Sequence, residues 1–284
     1  MLKRYLIYFA SFFFILNVCL AQTGELEKMD PSRAFEYGNY PAAITGFLDE
    51  LKTSPEDYHT NLILGICYLE SHIDYSKSIP YLEKIKDHKE NDFEVLYYLG
   101  RAYHLNYKLD DAINTFKLFT DSCSDSSFVK QALRQIEMCK NAKRLMASPV
   151  NVTIENMGDT VNSKAPDYNV FVEQDESFIV FSSKRKKRNK AEGPSPEGFY
   201  TSDVFISYYE EGAWQKAKVQ SNICTPVNEE SVGLTADGNL LFLKVEGRGV
   251  SGDMVVSNKK GKSFKEPVKV EKTVNSSAEE MTSS

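Results

Sequence analysis

The sequence predicts a multidomain protein of α + β class, an N-terminal α-solenoid of helical hairpins followed by an incomplete antiparallel β-propeller. Three observations predict it. Small and aromatic residues recur in the first half. Gly65 and Gly100 lie 35 apart, as do Tyr68 and Tyr103, while Ala43, Ser78 and Ala112 are separated by 35 and then 34. Apolar periodicity changes from helical to alternating after Pro149. Beyond that proline an aspartate-opened strand pattern recurs after 50 residues, at Asp203 and Asp253.

The chain opens on an export pattern. Lys3 and Arg4 precede a mostly apolar run, Tyr5 to Leu20, and Cys19-Leu20-Ala21 forms a small-residue cleavage site, so residues 1–21 read as a signal peptide cut before Gln22. The run is short for a membrane span, and Val18 is a poor neighbour for a lipidated Cys19. Soluble export is the expectation. Cleavage there leaves Cys67, Cys123, Cys139 and Cys224, with no CxxC and no metal-ligand spacing. Cys123 and Cys139 flank one helix–helix connection, where an oxidising compartment would permit a disulfide. The net charge of −6 over 284 residues offers no electrostatic footprint for nucleic acid.

Residues 22–126 carry three hairpins. The clearest runs from Leu96 to Phe119 and breaks at Asn106–Lys108. Leu96, Leu99, Gly100, Tyr103 and His104 mark one helix, and Ala112, Ile113, Phe116 and Phe119 the next. Gly100 and Ala112 sit where the helices must approach, and Tyr103 and Phe116 fill the space between. This period and punctuation resembles the tetratricopeptide repeat (TPR) family, most closely in the third hairpin. The first hairpin keeps Gly38–Tyr40, Ala43, Phe47 and Pro55, but Pro31 stands where the small residue of its first helix belongs. Residues 127–148 read as a capping helix with Val129, Ala132, Leu133, Ile136, Cys139 and Leu145 on one stripe. Pro149 stops it.

Residues 149–284 read as the first blades of a propeller, cut off in the third. Val150, Val152 and Ile154 alternate with polar residues. Asp175-Glu176 precedes the apolar run Phe178–Phe181, and Asp237-Gly238 precedes Leu240–Leu243. The strands opened by Asp203 and Asp253 follow, then Gly212-Ala213-Trp214 in one unit and Gly261 to Phe264 in the other. Val274 to Glu280 restarts the lead-in, which predicts a fragment of a longer polypeptide, since two blades cannot close.

A helical array ending NAKRLMASPV, then VTIENMGDTVNS and DESFIVFSSKR, resembles the exported TPR/WD40-like (TolB-type) β-propeller proteins of the Bacteroidetes cell envelope. The resemblance covers almost all of the mature chain and lies in its architecture. It implies an outer-membrane setting, a further peptidoglycan-binding domain of the OmpA C-terminal type, and in some members a part in type IX secretion. Asp159-Thr160-Val161 fits the short O-glycosylation motif of these bacteria.

A TPR array offers a concave groove lined by the first helix of each hairpin. By register from Gly65 and Gly100, the partner-binding positions are Leu62, Ile66, Leu69 and Glu70, then Tyr97, Arg101 and His104. The Lys/Asn pattern by which chaperone-binding TPRs clamp a C-terminal carboxylate is missing at these positions. His59, His72, His88 and His104 form no HExxH, and no nucleophile motif or phosphate loop occurs, so neither catalysis, a metal nor a cofactor is expected. The basic run Lys184–Lys190 reads as a solvated loop, with anionic headgroups or an acidic partner as its alternative. Asp175 and Asp237 are expected in hairpin turns, and Asp203 and Asp253 at blade turns.

The expected function is a non-catalytic protein–protein scaffold at the periplasmic side of the outer membrane. It would hold other envelope proteins in the groove and reach peptidoglycan only through a domain outside these residues. The alternative is an enzymatic or small-ligand propeller whose site lies in blades outside this sequence.

Overall fold

The computed structural model describes residues 29–88, 93–186, 193–247, 250–271 and 275. The export segment 1–21, the Lys187–Lys190 part of the basic run and the restart at Ser276–Glu280 lie outside the described residues.

The helical half runs α1 (Pro31–Glu36), α2 (Tyr40–Leu51), α3 (Tyr58–Glu70), α4 (Ser78–Ile85), α5 (Glu94–Leu105), α6 (Leu109–Ser122) and α7 (Ser126–Met146). Side-chain caps start four of them. Asp30, Asn39, Asp57 and Asp125 accept from backbone N–H groups of the first turns of α1, α2, α3 and α7. The hairpin turns share a backbone solution. Gly38, His72 and Tyr107 take positive φ of 71°, 55° and 58° between the paired helices, a conformation that costs the two non-glycine residues energy.

Each hairpin closes on a glycine. A Cβ on Gly65 would lie 2.5 Å from Leu82 Cδ2, and one on Gly100 2.7 Å from the Phe116 ring. In the first hairpin the roles are exchanged. Pro31 occupies the first position of the short α1, and Gly46 on α2 makes room, since a Cβ there would meet Pro31 Cγ at 2.2 Å.

The helices share two adjoining cores. Ala34, Ala43, Phe47, Ile63, Leu64 and Cys67 form the first, and the larger second runs from Leu62 on α3 through Leu99, Phe116 and Phe119 to Ile136 on α7. Residues 60–67 of α3 are buried around the whole helix because both cores use it. Cys67 sits there fully buried, and burial pushes its thiol up to about 12. At about pH 8 it is therefore neutral and enclosed. Iodoacetamide should label half-buried Cys224 first and reach Cys67 only on unfolding. Ready labelling of Cys67 in the folded chain would contradict this burial. The disulfide permitted between Cys123 and Cys139 is not formed, and both are free thiols buried in the second core.

The second half comprises two antiparallel meanders. The first is β1 (Asp167–Val172), β2 (Phe178–Ser183) and β3 (Asp203–Glu210), with β4 (Ala213–Trp214) and β5 (Lys218–Val219) both paired to β3. The second repeats it as β6 (Asn228–Leu234), β7 (Leu240–Gly247), β8 (Val250–Lys260), β9 (Ser263–Phe264) and β10 (Val268–Lys269). In each, the last two short strands act as one interrupted fourth strand, giving the outline of a propeller blade. Two such sheets do not make a closed propeller.

Phe178, Val180, Val204 and Ile206 of the first sheet pack against Leu241, Leu243, Val255 and Phe264 of the second. The seam is reinforced by polar contacts. Ser231 N–H donates to Ser182 Oγ at 2.9 Å, Phe264 N–H donates to Gln220 Oε1 at 3.0 Å, and Lys259 lies 4.1 Å over the Phe178 ring. The other face of the first sheet is closed by its own lead-in. Val161 packs on Ile179, Phe181 and Phe205, with Met157 and Trp214 alongside. Arg185 stacks over Phe205 at 4.6 Å and donates to Asp167 and the Val161 carbonyl at 2.7 and 2.9 Å. Within the lead-ins, Ser163 N–H donates to Asp167 at 2.6 Å, and Thr225 N–H to Glu229 at 2.9 Å.

Two strand-half expectations change. Val150, Val152 and Ile154 are 76%, 66% and 93% exposed and form no ladder, because no strand among the described residues lies beside them. Asp203 and Asp253 are not turn residues. Asp203 is fully buried at the start of β3, and Asp253 lies within β8, paired with Lys269 at 2.6 Å. Asp175 and Asp237 do serve in turns, accepting from Ser177 N–H at 2.8 Å and Asn239 N–H at 3.1 Å. Among the described residues, no helix is long and apolar enough to cross a membrane.

Candidate protein-binding face of the helical array

Alternate helices build this face. α3, α5 and α7 touch one another in series, while α4 and α6 stand behind them. An array whose first helices meet and whose second helices splay is concave along the α3–α5–α7 row.

Three polar rungs cross this row. Arg101 Nη1 on α5 donates to Glu70 Oε1 on α3 at 2.7 Å. His104 Nδ1 lies 2.9 Å from Gln135 Oε1 on α7, and the Tyr97 hydroxyl donates to Gln131 Oε1 at 3.4 Å. Arg101 also lies 5.9 Å over the ring of Tyr98. Burial first, and then the charge of Glu94, pushes the Tyr98 phenol up to about 12, so it stays a neutral hydrogen-bonding group. The Glu70 and Arg101 side chains keep 29% and 26% of their surface exposed, so they are held in place yet reachable.

The sequence-expected positions divide accordingly. Glu70, Tyr97, Arg101 and His104 are half-buried and joined by the rungs. Leu62, Ile66 and Leu69 are buried at 8%, 6% and 0% exposure and belong to the core between α3 and α5. The helical register placed them in the groove, whereas all three are buried in the larger core that runs from α3 to α7.

α7 supplies groups that register from the glycines could not reach. Phe128 and Met138 are 43% and 46% exposed, on the same stripe as Gln131 and Gln135. Their spacing of three, four and three residues was the available signal. The arrangement presents apolar anchors at either end of a fixed polar row. It can grip a side chain or a helix.

One further cluster combines potential ligands. Asp203, Cys224 and Glu229 bring one ligand atom each within 4.8 Å of one another. All three are engaged inside the fold, with Thr225 donating to Glu229 and Val204 N–H to Cys224 Sγ at 3.3 Å.

No protein-family model matches the chain, and no curated protein matches it. Among solved structures it is similar to the type III secretion translocator chaperone SycD of Yersinia enterocolitica, at 16% identity and a TM-score of 0.37, over 40% of this chain and 83% of that one. It is also similar to the Sgt2 TPR domain of Aspergillus fumigatus, at 17% identity and a TM-score of 0.35, over 46% and 87%. MamA of AMB-1 is similar at 19% identity and a TM-score of 0.32, over 45% and 79%. These values are too low to carry any partner over to this chain.

Proposed function

We propose that this chain is a non-catalytic scaffold that holds protein partners on the α3–α5–α7 face, within the envelope of a bacterium that exports it. The observation that carries this reading is the face itself. Tyr97, Arg101 and His104 are pre-oriented by cross-helix hydrogen bonds, and half-exposed Phe128 and Met138 flank them. Pre-organised aromatic and arginine groups lose little entropy when a partner arrives. The Lys3–Ala21 pattern supports export. The resemblance to envelope propeller proteins supports a place at the periplasmic side of the outer membrane. A link to type IX secretion follows from the same resemblance. Peptidoglycan anchoring would need a domain of the OmpA C-terminal type supplied elsewhere.

A photo-crosslinking side chain at Gln131 should capture a protein partner in cells, while the same group at Leu118 on α6, 57% exposed, should not. Phe128→Ala with Met138→Ala should weaken capture by at least about tenfold, as loss of a hot spot does, with helical circular dichroism unchanged. Equal capture from both positions, or capture indifferent to the double variant, would refute the groove.

A further inference from the structure

The two halves meet away from the peptide linker that joins them. Asn39, in the α1–α2 turn, donates through Nδ2 to the Pro196 carbonyl in the β2–β3 connection at 3.1 Å. Gly198 closes the contact from the other side. Its φ is +87°, and a Cβ there would lie 2.8 Å from Asn39 Oδ1. Beside this contact is a shallow depression, open to solvent, of about 410 Å³.

Its lining has a definite chemistry. Tyr37 comes from the helical half, Tyr168 and Phe199 from the first sheet and its connection, Glu230 from β6, and Lys184 and Glu197 from the β2–β3 connection. The lysine is already matched, with Nζ 3.4 Å from Glu197 Oε2. Glu230 is not. The Tyr168 and Ser202 hydroxyls both donate to its Oε1, at 2.6 and 3.3 Å, which leaves Oε2 without a donor among the described residues. The seam therefore offers three aromatic rings and one half-buried carboxylate oxygen with acceptor capacity to spare. Rings attract a cation through their negative faces, and a carboxylate takes a planar donor best.

We infer that the seam between the α1–α2 turn and the first two sheets binds an alkylguanidinium, the group an arginine side chain presents. Glu230 Oε2 accepts its N–H donors, Tyr37, Tyr168 and Phe199 pack its plane and stem, and Lys184 is held aside by Glu197. The site is separate from the α3–α5–α7 face and does not depend on the reading given to that face.

The test is calorimetric titration of the full chain with N-acetyl-arginine amide and with its neutral isostere N-acetyl-citrulline amide. The arginine derivative should bind at least about tenfold more tightly, because the neutral urea of the isostere keeps N–H donors but has no positive charge to pair with the carboxylate and the rings. Glu230→Gln, which keeps the shape, should remove that preference. Tyr37→Ala, on an exposed turn, should weaken arginine binding several-fold without moving the melting temperature. Phe128→Ala with Met138→Ala should leave it unchanged. Equal binding of the two amides, no binding of either, or persistence of the preference in Glu230→Gln would each overturn the assignment. Loss of binding in the Phe128/Met138 variant would move the cation to the helical face and overturn it as well.

Discussion

Phe116→Ala is expected to cost the helical array about 3–5 kcal/mol, the range for emptying a large aromatic site in a packed core. Phe116 is fully buried on α6 and lies directly over Gly100 of α5. The loss should appear in urea unfolding followed by far-ultraviolet circular dichroism, which the helices dominate. Gly100→Ala gives the complementary result. Alone it gains helix propensity of about 1 kcal/mol, but the new methyl meets the Phe116 ring at 2.7 Å, and overpacking of this kind costs about 1–3 kcal/mol. In the Phe116→Ala background the obstruction is gone and Gly100→Ala should stabilise. A cycle in which the two changes simply add would disprove the proposed contact between them.

Arg185→Ala should be comparably damaging to the first sheet, at about 3 kcal/mol. The guanidinium is shared between Asp167, the Val161 carbonyl and Ser183 Oγ, and it roofs the Phe181 and Phe205 rings at 5.3 and 4.6 Å. Removing it strands Asp167, whose side chain is only 16% exposed. Arg185→Lys keeps the charge yet loses the planar fork, so it should recover only part of the loss. The single tryptophan, Trp214, packs on this cluster and makes its fluorescence the natural reporter. Unchanged fluorescence-detected unfolding in Arg185→Ala would mean the roof bears no weight. Read together, the two probes also assign damage to the correct half. Phe116→Ala should shift the helical signal, and Arg185→Ala the tryptophan signal.

Much of this architecture was legible because its signals are local. Gly100, Phe116 and the break at Asn106–Lys108 lie within one hairpin, and their spacing alone implies α5 packed on α6. The two antiparallel meanders were legible for a related reason, since β1, β2 and β3, and again β6, β7 and β8, pair in chain order. What could not be read is what a given face meets. Leu62 and Ile66 have the right period for a groove, but period does not say that neighbouring helices bury them in a shared core. Val150, Val152 and Ile154 alternate as a strand does, yet a ladder needs a neighbour that alternation cannot supply. Gln131 and Gln135 owe their importance to Tyr97 and His104 on another helix. The Asn39–Pro196 contact spans 157 residues and left no trace in the local pattern.

That last contact makes the helical array a strung bow. One end continues through α7 toward the first sheet, and the other is fastened back to the same sheet's connection by Asn39. The pitch of the array is thus set by two anchorages as well as by packing between hairpins. A guest that fits only if the array bends or straightens must first unhook the string. One net hydrogen bond, about 1 kcal/mol, amounts to roughly a fivefold penalty in affinity. On the reading proposed above, the anchorage would favour guests that fit the curvature the array already has.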